Sequence, residues 1–523
     1  MPDNDKSVML TMTKGHAGVI PRLDRGIYTR RILMPFNFSN ANVAIRENRL
    51  GSITGFVGDL ETLVKKSEDG TLRNRERCFS QSSSCLSGCA LNALAAIRNV
   101  AVVYHAPAGC TAMASNDAVK FGQIAARVNK TTNSVFVCTD LNEKDTVFGA
   151  TNDLRKIILH TYEAYKPDAI FVSTSCVSGV TGEDVDGVAS DLNAELPIPV
   201  IPVHCEGFKS RIWASGFDIS DHAVLQGIVQ PPKQKRRTIN IKNFYESARP
   251  QITKIFKEVF DAEPQFLYCN STIEELSHLS EALATVCICG TLGTYLGNAL
   301  EEKYGVPYVR TINHSGVTGF ETWLRGIGDA IGKRAEVEAY IEKQRAIFIP
   351  QIEEVTKQLK GLRAVIGMGP GFTYEIARVL QEFGMTVDYA LAWHYDYKYD
   401  NGKVPPALEH LLEHSPKDMK VAVADQQNYE VLNILNHYKP DVYFSRHPGT
   451  TVWAIKQGYA AVFVADEYTV FGYEGTLSFA KLIRDTVTNR SFEKNLAARI
   501  KLPYTKWWYE QNADKFIKEE AKK

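Results

Sequence analysis

The sequence predicts an α/β fold made of three units, each with a parallel sheet covered by helices. First, short and almost wholly apolar runs alternate with segments whose apolar residues recur at helical spacing. Second, 523 residues exceed what one hydrophobic core ordinarily holds. Third, glycine-bearing turns follow several of the apolar runs, as the turns between strands and helices do in this fold class.

Composition is that of an ordinary globular protein. Hydrophobic residues make up 44% and charged residues 23%, and 60 Lys and Arg balance 60 Asp and Glu. This balance predicts neither a nucleic acid nor a membrane surface as the partner. We find no secretory signal and no apolar run of the roughly 20 residues that a membrane-spanning helix needs. Ten cysteines are too sparse for a disulfide framework, which predicts a reducing, cytoplasmic location.

Residues 1–77 lack the alternation of strand and helix and carry basic side chains at Arg22, Arg25, Arg30 and Arg31. We interpret this range as an N-terminal arm that wraps a partner or the body of the protein. A mobile tail is an equally good interpretation.

The alternation begins in residues 78–237, which we predict to be the first α/β domain. Residues 99–105 are predicted to form a buried strand, 153–165 a helix, and 169–173 the next strand. The run Pro-Pro-Lys-Gln-Lys-Arg-Arg at 231–237 is typical of an exposed linker, so the domain boundary is placed there.

Residues 238–350 are predicted to form the second α/β domain and residues 351–500 the third. A long amphipathic helix over about 334–360 leads from one to the other. Residues 501–523 are aromatic and then charged, which favours a C-terminal helical tail packed by its aromatic face. The strands predicted for the third domain are 364–368, 420–424, 441–444 and 461–464.

Four cysteines, Cys85, Cys110, Cys176 and Cys289, each lie at the edge of a strand or in a glycine-bearing turn. A thiolate is a soft ligand for iron and iron–sulfur clusters, and loops at strand ends can direct several thiolates to one point. The first three are too few for a closed four-cysteine site. A partner chain would therefore have to supply the remaining ligands.

Seven segments in a fixed order make the chain resemble the larger catalytic component of nitrogenase and its relatives. Together they span roughly residues 80–485, and only the ordered set is specific. The segments are a helix and strand ending in HAPAGC (105–110), CTDLNEKDTVFGA (138–150), STSCVSGVTGEDV (173–185), PVHCEGF (202–208), CGTLGTYLGNALEEKYGVPY (289–308), GMGPG (367–371) and FGYEG (471–475).

The resemblance implies three Rossmann-like domains with parallel sheets, and clusters that lie between domains and at a subunit interface. It also implies an α2β2 complex with a homologous second subunit, and an ATP-dependent iron–sulfur reductase homodimer as the electron donor. In that family, the cysteines that match Cys85, Cys110 and Cys176 bind one half of a P-cluster shared between the two subunits.

Cys289 stands sixteen residues before Gly305, the spacing at which the nitrogenase catalytic subunit carries a cysteine ligand of its large active-site cluster. The sister subunit lacks that cysteine, so this chain resembles the cofactor-bearing subunit or the similar subunit of the assembly scaffold. A buried packing cysteine is the commoner fate of such a residue. We prefer the ligand interpretation because Cys289 precedes a predicted helix, whose N-terminus stabilises a thiolate.

The chain departs from nitrogenase at the second cofactor ligand, a histidine that precedes the FGYEG-like segment. Residues 463–470 contain no histidine. His447 is the nearest one, and Asp466 or Glu467 could replace it as an oxygen ligand. An ordinary loop histidine is the commoner explanation of His447, and a helix-start or solvated carboxylate explains Asp466 or Glu467 equally well.

The second departure from nitrogenase is a set of aromatic residues. Trp213 and Phe217 follow the CEGF segment, and Phe372 and Tyr374 follow Gly369, where nitrogenase has polar residues. Ordinary core packing would explain these rings. If the resemblance places them beside the cluster, they predict an apolar pocket for a small, weakly polar substrate. Our candidate pocket residues are Trp213, Phe372, Tyr374 and His447.

These departures favour a relative of the methylthio-alkane reductases, which cleave carbon–sulfur bonds of small thioethers. The alternatives are a scaffold subunit on which a nitrogenase cofactor matures, and an unusual nitrogenase subunit. The expected cofactors are a P-cluster-like cluster shared with the partner subunit and a large active-site cluster, for which we favour an all-iron, carbide-containing form. No GxxxxGK[ST] loop occurs, so ATP is expected to bind the reductase.

Overall fold

Three parallel sheets follow one another along the chain in the computed structural model. The structure describes residues 36–76, 85–112, 132–242, 247–398, 404–416, 419–424, 428–464, 466 and 469–516. From Phe36 onward the chain forms one compact unit. The predicted α/β class with parallel sheets is confirmed. The four basic residues of the predicted arm lie outside the described residues.

The first sheet has four parallel strands, which are β3 (Val100–His105), β4 (Val135–Cys138), β5 (Ala169–Thr174) and β6 (Val200–Val203). Their order across the sheet is β4-β3-β5-β6. Every residue of β3 and β5 is buried, because helices cover both faces of a parallel sheet. This burial explains why both strands appear in the sequence as continuous apolar runs.

The second sheet has three parallel strands, which are β7 (Thr238–Lys242), β8 (Glu263–Leu267) and β9 (Ala284–Cys287). Their order is β8-β7-β9. Cys289 follows β9 directly, at the carboxyl end of this sheet.

The third sheet combines five parallel strands with one antiparallel strand from the N-terminal region. The parallel strands are β10 (Arg363–Met368), β11 (Thr386–Ala392), β13 (Lys420–Ala424), β14 (Val442–Ser445) and β15 (Ala460–Phe463), and the antiparallel strand is β2 (Gly55–Asp59). The order is β15-β14-β10-β11-β13-β2. A separate short ribbon pairs β1 (Ser52–Ile53) with β12 (Tyr395–Asp396). Residues 52–59 of the predicted arm therefore pair with strands of the later chain, and the arm interpretation as a whole remains a prediction.

Helices connect and cover these strands. The helices of the described residues, besides a short turn at 108–112, are Arg46–Arg49, Leu60–Glu68, Leu86–Ala95, Glu143–Phe148, Thr151–Tyr165, Cys176–Thr181, Val185–Glu195, Ser215–Gly227, Arg249–Ile255, Ile273–Ser277, Gly290–Tyr304, Gly316–Ile331, Arg334–Thr356, Pro370–Glu382, Pro406–His414, Asn428–Tyr438, Pro448–Lys456, Gly472–Thr488, Ser491–Arg499 and Lys506–Glu510. Three-residue and longer 3₁₀ or π segments cover Gly207–Lys209, Phe256–Phe260, Leu279–Glu281 and Ala513–Phe516. No helix in the described part of the chain is long and apolar enough to span a bilayer.

The strands of the three sheets lie at 100–203, 238–287 and 363–463, with β2 added from residues 55–59. The predicted domain boundaries at 237, 350 and 500 remain predictions. The predicted long helix is observed as Arg334–Thr356, and it contains Pro350. The predicted C-terminal helical tail is observed only as the short helix Lys506–Glu510 and a 3₁₀ turn, since residues 517–523 lie outside the described residues.

A buried guanidinium ties the N-terminal segment to two other parts of the chain. Arg46 is fully buried, and its Nη2 lies 2.8 Å from Asp218 Oδ1 on the helix Ser215–Gly227. Its Nη1 lies 3.4 Å from Asp396 Oδ2 on β12. Burial opposes the charge of Arg46, but the two carboxylates outweigh burial and raise its pKa.

Glu47, the next residue of this segment, holds the loop that contains Ser210 and Arg211. Glu47 accepts hydrogen bonds from the Ser210 hydroxyl at 2.7 Å and from the Arg211 amide at 2.8 Å. Residues 46 and 47 thus fix the loop that leads to Trp213, as well as the strand that carries Asp396.

We expect Arg46→Met to lower the stability of the purified protein markedly. The substitution keeps the apolar stem but leaves two buried carboxylates short of a cation, which costs about 3 kcal/mol or more. Chemical denaturation followed by circular dichroism should show a lower midpoint. As the matched control, Lys357→Met removes an exposed pair with Glu354 and should leave the midpoint unchanged. Equal midpoints for the two variants would contradict this account of Arg46.

Candidate functional site

Two of the four candidate cysteines lie where the strand order of the first sheet reverses. The chain runs from β3 to β4 on one side and returns to β5 on the other, so a crevice opens between the carboxyl ends of β3 and β5. Cys110 lies in the helical turn after β3, and Cys176 begins the helix after β5. Because β3 and β5 are parallel neighbours, the two thiols emerge at the same edge.

Cys85 and Cys176 meet on either side of Gly207. A Cβ built on Gly207 would lie 3.3 Å from Cys176 Sγ and 3.7 Å from Cys85 Sγ. Cys85, Cys110 and Cys176 are all exposed, and none forms a disulfide. Burial raises the pKa of Cys110, and the neighbouring Cys176 and Cys85 raise it further. The structure therefore brings Cys85 and Cys176 together around Gly207, and Cys110 lies near enough to both thiols for them to raise its pKa.

This trio fits a polynuclear cluster better than a single ion. Within the described ranges, no three His, Cys, Asp or Glu side chains converge closely enough to hold one metal ion. In an iron–sulfur cluster each cysteine binds a different iron, so its thiolates are spaced further apart. Iron between the thiols would also relieve the repulsion that raises the pKa of Cys110. The exposed trio leaves its outer side open for ligands from another chain.

Four exposed apolar side chains lie on segments that adjoin those of the thiols. Val180 belongs to the helix that Cys176 begins, and Phe208 follows Gly207. Val147 and Phe148 lie on the helix Glu143–Phe148, which contacts the helix of Cys176. Their exposed fractions are 58–78%, and we refer to these four side chains as the apolar rim.

The fourth cysteine lies in different surroundings. Cys289 is buried and caps the N-terminus of the helix Gly290–Tyr304. Cys287, two residues earlier, is also buried and donates its S–H to the Cys289 carbonyl at 2.6 Å. Burial raises the pKa of Cys287 well above its usual range. Cys287 is thus engaged in packing, whereas Cys289 lies at a helix N-terminus, where a thiolate is stabilised.

A cavity begins one residue after Cys289, with Gly290 in its lining, and Cys289 itself does not line it. It is lined by the first residues of three helices, namely Gly290, Pro370 with Gly371, and Pro406 with Ala407. The remaining lining residues are Thr311, Asn313, Tyr374, Glu375, Tyr395, Asp396 and Pro405. Helix N-termini favour negative charge at this place, whereas the carboxylates of Glu375 and Asp396 oppose it.

Of the predicted pocket residues, Tyr374 is the one that lines this cavity. Its ring is buried, and its hydroxyl has no hydrogen-bond partner among the described residues. Burial raises the pKa of Tyr374 well above its usual range. Trp213 is connected to the cavity only through a neighbour. Its ring packs edge-on against that of His394, two residues before the cavity-lining Asp396, with 5.7 Å between the ring centroids. It also packs edge-on against Phe217. The Trp213 indole N–H is likewise without a partner in the described part of the chain.

The structure places Phe372 and His447 at the point where the strand order of the third sheet reverses, between β10 and β14. The Arg446 guanidinium lies 4.2 Å from the Phe372 ring centroid. His447 packs edge-on against Trp393 at 5.7 Å, and burial lowers the pKa of His447. Neither Phe372 nor His447 lines the cavity that Gly290 borders.

Of the two alternative oxygen ligands, the structure describes Asp466. The Asp466 backbone carbonyl accepts hydrogen bonds from Thr469 at 2.9 and 3.2 Å, as in a turn. Glu467 lies outside the described residues.

The sequence analysis did not identify three residues of the candidate site, namely Gly207, His394 and Asp396. The importance of Gly207 becomes apparent only in the structure, where the thiols of Cys85 and Cys176 lie beside it. His394 and Asp396 follow the buried strand β11 in a His-x-Asp pattern, and this pattern could have indicated a site at a strand end.

Comparison with known proteins agrees with the geometry. The sequence profile of the family described as "Nitrogenase component 1 type Oxidoreductase" matches residues 85–488. The chain is 26% identical over 404 residues to the nitrogenase molybdenum-iron protein alpha chain of Methanococcus maripaludis, covering 72% of this chain and 82% of the relative. It is 25% identical over 456 residues to the nitrogenase iron-molybdenum cofactor biosynthesis protein NifE of the same species, covering 84% and 89%.

The fold also matches a solved structure, "Nitrogenase Cp1 at pH 6.5". The TM-score is 0.66 at 18% identity, and the match covers 86% of this chain and 96% of the other.

We expect Gly207→Ala to reduce cluster loading at the three exposed cysteines without unfolding the chain. The added methyl group would lie 3.3–3.7 Å from Cys176 and Cys85, within the space that the thiols share. The purified complex should contain less iron and show weaker cluster absorption. Gly109→Ala is the matched control, because it lies beside Cys110 and its Cβ would meet nothing within 4 Å. An unchanged iron content in Gly207→Ala would contradict the interpretation that Gly207 leaves room for the thiols of Cys85 and Cys176.

Proposed function

Because the chain belongs to the nitrogenase component 1 type oxidoreductase family, we propose that it is the cofactor-bearing subunit of a nitrogenase-like reductase acting on small methylthio-alkanes. The observation that carries this proposal is the division of the cysteines into two sets. Cys85, Cys110 and Cys176 are exposed at one edge, and Cys289 is buried beside a cavity. One relay cluster and one enclosed active-site cluster account for both sets.

The exposed set supports a partner subunit. Three thiols supply only part of the ligands of a large cluster, and the apolar rim of Val147, Phe148, Val180 and Phe208 suits burial against another chain. One relative is named as an alpha chain, which implies a differently named companion. The proposed assembly is an α2β2 complex with a homologous second subunit, supplied with electrons by a separate ATP-dependent iron–sulfur reductase.

The proposed reaction is the reductive cleavage of a thioether. For ethyl methyl sulfide the balance is CH₃SC₂H₅ + 2e⁻ + 2H⁺ → CH₃SH + C₂H₆, so the ethyl carbon–sulfur bond breaks and the carbon and the sulfur each gain a hydrogen. The bound clusters supply low-potential electrons and the metal–sulfur surface at which this bond is reduced.

In this proposal, the side chains of the protein hold the two clusters and enclose the substrate. Cys85, Cys110 and Cys176 would hold the chain's half of the relay cluster, and Cys289 would hold the active-site cluster. Tyr374 presents a buried ring to the cavity, and Trp213 packs edge-on against His394, two residues before the cavity-lining Asp396. These rings exclude water and favour a small, weakly polar substrate over a charged one.

A scaffold role is the second candidate. It is favoured by the similarity to NifE, a cofactor biosynthesis protein, which covers 84% of this chain. A scaffold would use the same cysteines to hold a precursor cluster and then release it. An unusual nitrogenase is the third candidate, since the alpha chains of that enzyme are similar over comparable lengths.

Product analysis of the purified complex tests the proposal. Given its reductase, ATP, dithionite and ethyl methyl sulfide, the complex should release ethane and methanethiol, both detectable by gas chromatography. Omission of ATP is the control and should abolish both products. Absence of both products, with cluster transfer to apo-nitrogenase, would favour the scaffold, whereas ammonia from dinitrogen would favour a nitrogenase. Stoichiometric molybdenum or vanadium would overturn the all-iron form of the cofactor.

We expect Cys289→Ala to remove the active-site cluster and spare the relay cluster. Cys289 directly precedes Gly290, which lines the cavity, so in the proposed function its loss removes the thiolate that anchors the larger iron assembly. Iron analysis should show a large partial loss, with the spectrum of the remaining cluster unchanged. Cys287→Ala is the matched control, since it removes a buried thiol two residues away and should retain the iron. Equal iron contents in the wild type and Cys289→Ala would refute the assignment.

A further inference from the structure

Two histidines lie face to face on the helix Pro406–His414. His410 and His414 are one helical turn apart, so both side chains leave the same face of the helix. Their rings are stacked, with 4.1 Å between the ring centroids and 18° between the ring planes. His410 is partly buried and His414 is exposed, so solvent reaches the pair.

The ring of His414 is oriented by its own helix. Its Nδ1 lies 2.8 Å from the His410 backbone carbonyl, which can only accept a hydrogen bond, so Nδ1 carries the proton. In the neutral ring, Nε2 is then the nitrogen that offers a lone pair to a metal. Metal-binding histidines nearly always donate their other ring N–H to a carbonyl or a carboxylate in this way. The contact is thus the one expected of a metal ligand.

His410 is in the form that a metal requires. Burial, and then the charges of Arg378 and His414, lower the pKa of His410 to about 4, so its ring is uncharged at neutral pH. The neutral imidazole is the form that binds metal ions. Arg378 forms ion pairs with Glu375 and Glu382, and these carboxylates offset its repulsion of a cation.

The spacing of the two rings suits one divalent transition-metal ion. Imidazole is a preferred ligand of zinc, copper and nickel, and histidines four residues apart on one helix face supply two ligands in known zinc motifs. Two nitrogens that bind one tetrahedral zinc lie roughly 3.4 Å apart, close to the separation of the stacked rings. Within the described ranges no three His, Cys, Asp or Glu side chains converge on one ion, so water would complete the coordination.

We propose that His410 and His414 bind a divalent transition-metal ion, with zinc as the expected ion, at a site that uses none of the candidate cysteines. Glu413, whose Oε2 lies 4.0 Å from His414 Nδ1, adds negative charge beside this site. Bound metal would join two successive turns of a helix whose first residues, Pro406 and Ala407, line the cavity described above. The proposal goes beyond the proposed function and does not depend on it.

Zinc binding to the purified complex tests the proposal. The complex is stripped of loosely held metal with a chelating resin and titrated with Zn²⁺ in a calorimeter. The wild type should bind a zinc ion with each copy of this chain, and both His410→Gln and His414→Gln should lose this binding. His160→Ala is the matched control, since it removes a single exposed histidine from the helix Thr151–Tyr165 and should leave the binding unchanged. Circular dichroism without zinc establishes that each variant is folded.

X-ray absorption at the zinc edge separates this site from the thiols. The spectrum should show nitrogen and oxygen at roughly 2.0–2.1 Å from zinc, with outer-shell scattering from imidazole, whereas zinc on thiols would show sulfur at roughly 2.3 Å. Four results would overturn the proposal. They are no zinc binding in the wild type, binding that survives in either glutamine variant, binding that is lost in His160→Ala, and a sulfur shell around the zinc.

Discussion

A reversal of strand order in each parallel sheet positions the candidate ligands. When successive connections leave a strand on opposite sides, a crevice opens at the carboxyl ends of the neighbouring strands. The first sheet places Cys110 and Cys176 there, the second places Cys289 after β9, and the third places His447 after β14. The same constraint thus acts three times in one chain. The chemistry differs between the crevices because the residues that follow each strand differ.

The candidate active-site chamber depends in addition on buried ionic contacts. Arg46 joins Asp218 on a helix of the first half of the chain to Asp396 beside the third sheet. A buried ion pair adds little net stability over apolar packing, but the loss of one partner is severe. The contribution of Arg46 is therefore mainly specific placement. It fixes the carboxylate that lines the cavity, while Glu47 fixes the loop of Trp213.

The two sets of cysteines differ in solvent exposure, and this difference matches the two roles proposed for them. In the proposed function, a cluster that is shared with another subunit must reach the surface, and Cys85, Cys110 and Cys176 are exposed. The proposed active-site cluster must be shielded from water, and Cys289 is buried at the N-terminus of a helix. Under this proposal, local surroundings rather than ligand type would separate the relay cluster from the reacting one.

The sequence by itself determined the fold class and half of the parallel strands that the structure describes, and it singled out the four candidate cysteines, because these depend on local patterns of burial and on short motifs. It did not reveal that β2 joins the third sheet, that Gly207 separates two thiols, or that Asp396 lines the same cavity as Gly290. Those features were decided by the tertiary structure, through contacts such as that between Ser52 and Asp396, which are 344 positions apart. Periodicity carries no information about which distant residues meet, since that depends on how strands and helices pack in three dimensions.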